Sequence, residues 1–230
     1  MPGMGTLYLV RHGQASFGAA DYDHLSALGQ RQCQALGVWL AQRGQVFEAV
    51  LCGTLRRHAQ SLSAITDGYA SGLGAALPEA LLWPGLNEYD GEALVRAVHP
   101  GATADTKTED GYRQHFRLLR EGMTQWMAGT SRPAGMPPYA DWVAGITGAL
   151  DHVRQHCTGD VLMVTSGGPI ATAVGHVLAT PPTTTIELNL RIRNSSLTEF
   201  AYTPKRHMLL CFNHLPHLDG PQMRELITYS

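Results

Sequence analysis

The feature that most restricts the fold is a set of short apolar runs, each breaking into a turn of small residues before a helical pattern. Residues 6–10 end at Arg11-His12-Gly13, 47–52 close at Gly53, and 161–164 break into Thr165-Ser166-Gly167-Gly168-Pro169. After the first run, apolar residues recur at helical spacing over 25–43 (Leu25, Leu28, Leu36, Trp39, Leu40), with Gly44 as the stop. After the second, a helix is expected to about residue 69, with Thr54 as its cap. Strands of buried type that alternate with helices are the signature of a parallel sheet with right-handed crossovers.

The rest of the chain extends this pattern. Residues 71–77 read as a Gly/Ala loop and 81–83 as a short strand. Regularity then falls over 90–135, where helical patches at 92–98 and 110–127 are joined by polar, Gly/Pro-rich loops. This predicts a partly helical lid inserted over one end of the sheet, from about 89 to 138. A helix over 139–157 leads back to the strand at 161, and further helices are expected over 169–179 and after Pro181-Pro182. The β-rich runs 195–202 and 208–213 face each other across Thr203-Pro204-Lys205-Arg206 as a hairpin. The expected fold class is a three-layer α/β/α sandwich with a mostly parallel sheet, one domain over 1–230.

Composition excludes more than it identifies. A hydrophobic share of 44% and a charged share of 16% suit a globular chain able to bury a core. A formal charge of −2 gives no electrostatic reason to expect nucleic acid or an acidic membrane as partner. No apolar run approaches the roughly 18 residues of a membrane span. The opening MPGMG lacks a basic n-region, and TLYLV is too short for the apolar core of a signal peptide. Cys33, Cys52, Cys157 and Cys211 show no C-x-x-C spacing and lie in apolar stretches, so they are expected as buried free thiols of a reducing compartment. The chain is expected to be cytoplasmic, and its composition leaves the oligomeric state open, a homo-oligomer included.

Three turns carry chemistry. A buried strand has little reason to end in Arg11-His12-Gly13 unless these groups face a site at its C-terminal edge, where open α/β sheets bind ligands; the alternative is a strand end meeting solvent. Arg56 and Arg57 sit in an expected first helical turn, where the helix dipole is already positive. An anion between them and the helix start would resolve that conflict, and a solvated arginine pair is the alternative. Glu88, in Leu86-Asn87-Glu88-Tyr89-Asp90-Gly91 after the third strand, would oppose this cationic cluster as an acid–base group. Ser166 superficially resembles a nucleophile elbow, but the elbow needs a small residue where Val164 stands. His152 and His156 are spaced as zinc ligands can be, yet no glutamate follows His152 and no third ligand suggests itself, so they read as helix-surface residues. The phosphate-loop pattern GxxxxGK[ST] is absent.

Taken together, LVRHGQAS, LCGTLRRHAQS, LNEYDGE and VLMVTSGGPI resemble the histidine phosphatase superfamily, with its phosphoglycerate-mutase-like fold. DYDHLSALGQRQ, RNSSLTEF and FNHLPHL extend the resemblance from Leu7 to about Leu218, with 91–138 unmatched. The resemblance implies that His12 is a nucleophile forming a phosphohistidine, and that Glu88 protonates the leaving oxygen and then takes a proton from water. Arg11 and Arg57 would hold the phosphoryl oxygens, with Arg56 pointing outward or, in the other register, taking the place of Arg57, and no metal or cofactor would be needed. Gln14 and Ser16 would contact the rest of a small phosphorylated substrate, in a loop over 14–24 that together with the lid sets specificity. The family's fourth strand usually ends in a second histidine, and here that position is Ser166, followed by Gly167-Gly168. Ser166 and the Gly167 amide are expected to bind phosphate without supplying charge, which implies reduced activity and predicts that Ser166→His raises turnover. His217 fits a position near the rim of the site, and a packing role is favoured for it over direct replacement of the missing histidine. The implied function is phosphomonoester hydrolysis. The alternatives are phosphoglycerate-mutase-type transfer and a catalytically weak member that binds a phosphorylated ligand or a protein.

Overall fold

The computed structural model describes residues 5–16, 23–74, 76–101 and 108–229. In chain order the elements are β1 (Gly5–Arg11), α1 (Ala27–Gln42), β2 (Ala49–Cys52), α2 (Arg56–Leu73), β3 (Ala80–Leu82), α3 (Gly91–Val98), α4 (Glu109–Met127), α5 (Tyr139–His156), β4 (Val161–Thr165), α6 (Gly167–Leu178), α7 (Pro182–Asn189), β5 (Leu197–Thr203) and β6 (Arg206–His214). Among the described residues the strands form one sheet in the order β3-β2-β4-β1-β5-β6. The pairs β3–β2, β2–β4 and β4–β1 are parallel, and the hairpin β5–β6 adds two antiparallel strands beside β1. This is the α/β class with a mostly parallel sheet that the strand–helix alternation predicts.

Burial explains why the central strands read as unbroken apolar runs. Every residue of β4 is buried, because helices cover both faces of the sheet. On one face Leu7, Leu9, Leu51 and Met163 pack with Ile146 and Leu150 of α5 and Ile170 and Val174 of α6. On the other, Val10, Val50, Leu162 and Val164 pack with Cys33, Leu36 and Leu40 of α1 and Ile65 and Tyr69 of α2. The strand period of two thus divides each strand's apolar residues between two cores. Each fully buried aliphatic side chain contributes roughly 1.5–3 kcal/mol. A third cluster joins Leu94 of α3, Leu118, Met123 and Trp126 of α4 and Ile186 of α7, with Tyr89, Tyr139 and Trp142 against it. Helices α3 and α4 therefore share a third apolar core with α7 and the start of α5.

Several local expectations change. Helix α1 begins at Ala27, because Ser26 caps it by accepting from the Gly29 amide at 3.1 Å. Thr54 does not cap α2. Its amide donates to Asn87 Oδ1 and its hydroxyl accepts from Asn87 Nδ2, both at 2.7 Å, while Leu55 holds the cap position without a side-chain bond. Residues 71–73 are helical and not loop, since α2 runs on until Gly74, whose φ of +65° supplies the left-handed stop. Cys33 and Cys52 are buried, whereas Cys157 and Cys211 are only partly so, because they lie at a helix end and on an edge strand; all four are free. His152 and His156 stack on each other on α5, with His152 against Trp83. Among the described residues no helix is long and apolar enough to cross a membrane.

Candidate active site

The C-terminal ends of β1, β2 and β4 lie side by side, so the turns that follow them meet. In the β1–β4 ladder Arg11 pairs with Thr165, and beyond its end the His12 amide donates to the Thr165 carbonyl at 2.8 Å. The Gly53 amide donates to the Val164 carbonyl at 3.0 Å, which ties the turn after β2 to the end of β4. Helix α2 is locked to the first turn through Ser61, whose hydroxyl donates to the Arg57 carbonyl at 2.7 Å and accepts from the Gly13 amide at 3.1 Å. Arg11, His12, Arg57, His58 and Ser166 are all buried at this junction.

His12 is held in one tautomer. Its Nδ1 lies 2.7 Å from the Gly13 carbonyl, which can only accept, so Nδ1 carries the proton and Nε2 presents a lone pair. Arg57 Nε donates to that Nε2 at 3.2 Å. Burial, then Arg11 and Arg57, hold the His12 pKa well below the ordinary histidine range, so the ring stays neutral. A neutral, oriented imidazole with a lone pair beside a guanidinium is suited to attack an electrophile that carries anionic oxygens. Arg11 reaches across to the Ile192 carbonyl through Nη1.

Of the two neighbouring arginines, Arg56 is exposed and Arg57 is 6% exposed beside His12. The anion that resolves their placement in a first helical turn belongs to the chain. The Asp23 carboxylate accepts from the Arg56 amide at 2.9 Å and from the Arg57 amide at 3.4 Å, and it pairs with Arg57 Nη1 at 2.9 Å. Asp23 therefore caps α2 from a distance, in the role expected of Thr54. Sequence reasoning missed it, because the cap comes from 33 residues upstream.

Glu88 follows the one-turn 3-10 helix Pro84–Leu86, itself pinned where Thr165 Oγ1 donates to the Leu86 carbonyl at 2.5 Å. Its Oε2 accepts from the Gly168 amide at 3.1 Å. A side chain at position 168 would collide with the Glu88 carboxylate, which is why a glycine stands there. Burial pushes the Glu88 pKa up, outweighing the Gly168 amide and the two arginines, which pull it down. A carboxyl whose pKa is raised by burial holds its proton more readily and is equipped to act as an acid. Gly167 begins α6 next to the Arg11 side chain and Asn189, whose Nδ2 donates to the Tyr89 hydroxyl at 2.6 Å.

The remaining residues fall around this centre. Gln14 is anchored through its backbone, donating to Gln32 Oε1 at 2.9 Å and accepting from the Ser26 amide, while its own buried Oε1 has no partner among the described residues. The Ser16 amide donates to the His24 carbonyl at 2.8 Å. Of the loop over 14–24, residues 17–22 lie outside the described residues. His217 is buried behind the site with Nε2 2.9 Å from Ser195 Oγ, and the Ser195 amide donates to the His12 carbonyl at 3.1 Å. His217 thus touches the site through Ser195, in a packing position. His58 was not anticipated from the sequence. It is fully buried, its ring centre is 5.8 Å from that of His12, and its Nε2 lies 2.7 Å from Ser166 Oγ. The available signal was its place one residue after Arg57, in the same first turn of α2.

Comparison with known proteins bears on the family and the fold. The family model of the histidine phosphatase superfamily (branch 1) matches residues 7–214. No curated protein sequence matches the chain. Among solved structures, a phosphoserine phosphatase mutant from Entamoeba histolytica in complex with phosphoserine superposes with a TM-score of 0.64 at 19% identity, over 93% of this chain and 99% of that one. A mycobacterial glucosyl-3-phosphoglycerate phosphatase gives 0.60 at 20% identity, over 91% and 99%. A phosphoglycerate mutase from Bacillus anthracis gives 0.61 at 16%, over 94% and 96%.

Proposed function

The chain belongs to the histidine phosphatase superfamily, and on that premise we propose that it hydrolyses a small phosphorylated metabolite through a phosphohistidine on His12. The observation that carries this reading is the His12 ring itself: neutral, with Nδ1–H on the Gly13 carbonyl and the Nε2 lone pair beside Arg57. In the first step Nε2 attacks phosphorus, the bond to the leaving oxygen breaks, and Glu88 donates its proton to that oxygen. In the second, Glu88 takes a proton from water, the water oxygen attacks phosphorus, and the P–N bond returns its electron pair to Nε2. Arg11, Arg57, the Ser166 hydroxyl and the Gly167 amide hold the phosphoryl oxygens through both steps.

The substrate class has the support of the phosphoserine and glucosyl-3-phosphoglycerate phosphatases that share the fold. The whole chain is taken as one domain, and the stretch from 89 to 138, rooted at Glu88, as the lid over the leaving group, with Gln14 and Ser16 on the substrate's far side. Hydrolysis is preferred to mutase chemistry, which needs a site closed to water while an intermediate turns round. A pure binding role would have no use for a nucleophile opposite an acid. The test is phosphate release from an aryl phosphate across pH 4–8 by wild type and His12→Ala, with trapping of an acid-labile phosphoprotein. Release by the wild type alone is expected. Equal inertness of both, with no phosphoprotein, overturns the proposal.

A further inference from the structure

We infer that His58 and Ser166 work as one hydrogen-bonded unit, in which the buried imidazole fixes the serine hydroxyl so that its O–H points at the phosphoryl group. This rests on the phosphatase reading and adds a positioning residue to it. His58 comes from α2 and Ser166 from the turn after β4, so the unit spans two crossovers, and its two atoms are 2.7 Å apart.

The direction of the bond follows from what surrounds each group. His58 Nδ1 is buried and has no hydrogen-bond partner among the described residues. It lies against Gly53, where any side chain would run into the ring. A neutral imidazole carries one proton. On Nδ1 that proton would be a buried donor without an acceptor, a rare and costly state. On Nε2 it donates to Ser166 Oγ, and Nδ1 keeps only an unused lone pair. Burial and the Arg57 guanidinium hold the His58 pKa down to about 3, so the neutral form is the one to consider. Ser166 Oγ then accepts from His58, and its own proton has to go elsewhere. The hydroxyl does not cap α6, and it makes no other hydrogen bond among the described residues.

That proton is left for a ligand. Ser166 sits between β1 and β2, with the Arg11 side chain beside Gly167 and the Glu88 carboxyl on the Gly168 amide. A phosphoryl oxygen bound among Arg11, His12 and Arg57 is the acceptor in reach, and accepting from His58 makes the serine a better donor. The imidazole at 58 also changes what a histidine at 166 would do. With Ser166 Oγ in hydrogen-bond contact with the His58 ring, a bulkier side chain there has to displace that ring. Ser166→His alone is therefore expected to lower turnover, contrary to the sequence-based expectation.

A double-mutant cycle on the full-length protein tests the unit, with phosphate release from an aryl phosphate as readout. Ser166→Ala and His58→Phe, which keeps the ring volume and loses the nitrogens, are each expected to lower kcat by about 10²-fold, with KM changed less. The double variant is expected to lose no more than Ser166→Ala alone, since His58 acts through the hydroxyl. His58→Gln, whose amide can still donate to Ser166, is expected to recover most of the activity. Losses that multiply in the double variant, or a His58→Gln variant as slow as His58→Phe, overturn the inference. Should His58→Phe fail to fold, the ¹⁵N spectrum of the wild type decides: a proton on Nε2 of His58 supports the unit and a proton on Nδ1 overturns it. Failure of the phosphatase reading looks different, because wild type and His12→Ala are then equally inert. In that case the ¹⁵N tautomer, with loss of inorganic phosphate binding in Ser166→Ala, still decides for or against the unit.

Discussion

The turns after β1 and β4 occupy adjacent places on the same sheet edge, yet they are built on different principles. The first is self-sufficient: Arg11, His12 and Gly13 supply a guanidinium, an imidazole and the carbonyl that sets the imidazole's tautomer, all within three residues. The second is Ser166-Gly167-Gly168, with no charge of its own. It accepts a ring from α2 on its hydroxyl and a carboxyl from the loop after β3 on an amide. One turn brings chemistry, and the other collects it from elsewhere in the chain. A site assembled the second way depends on packing between helices and strands distant in sequence.

The comparison breaks most sharply at the nucleophile. His12→Ala is expected to reduce phosphate release by at least about 10⁴-fold, because it removes the Nε2 lone pair that the proposed mechanism brings to phosphorus. A variant that kept a measurable phosphoenzyme would show that the first turn is not self-sufficient. Glu88→Gln comes next, with a loss of about 10³-fold on a substrate with a poor leaving group and less on an aryl phosphate. The sign of its pH effect is fixed: the acid is protonated below its raised pKa, so wild-type turnover falls as pH rises through that value. The falling limb should vanish in the Glu88→Gln pH profile.

Smaller effects sharpen the second turn. Gly53→Ala places a methyl group into the His58 ring, so the ring or the strand end has to shift. A loss of about 1–3 kcal/mol in denaturant unfolding is expected, with turnover falling toward that of His58→Phe. Stability unchanged within error would mean that the ring has another place to go. The smallest effect is on stability in acid. Burial brings both His58 and His217 down to about 3 in the folded chain, while unfolded histidines titrate near 6.5. The unfolded state therefore binds more protons below that value, and stability present at pH 7 is lost as pH falls toward 3. At pH 5 the loss is on the order of 1–2 kcal/mol per ring, to be read as a lower melting temperature, with a shallower decline in His217→Gln.

What was legible in the chain follows the same division. The runs at β1, β2 and β4 and the helices between them could be read because burial on both faces demands apolar residues and the crossovers demand helical spacing. Arg11, His12 and Glu88 could be placed at the edge because Arg11 ends a strand, His12 follows it and Glu88 comes after a short turn that follows another strand. The cap of α2 could not, since Asp23 reaches it from another segment and the local candidate, Thr54, is taken by Asn87. The end of α2 was misjudged for a simpler reason. Residues 71–77 are rich in glycine and alanine and read as a loop, but the left-handed residue that ends the helix is Gly74.

By itself the sequence determined a parallel sheet whose C-terminal edge carries an arginine, a histidine and an acid, because strand, turn and helix are encoded locally. Only the tertiary structure decided which members of Arg56-Arg57-His58 enter the pocket. Successive residues on a helix point about 100° apart, so two of the three turn inward and one faces water. Which two depends on how α2 is rotated against β2 and β4, a quantity set by the packing of Ile65 and Tyr69 in the core below. That rotation brings His58 to Ser166, and no local pattern contains it.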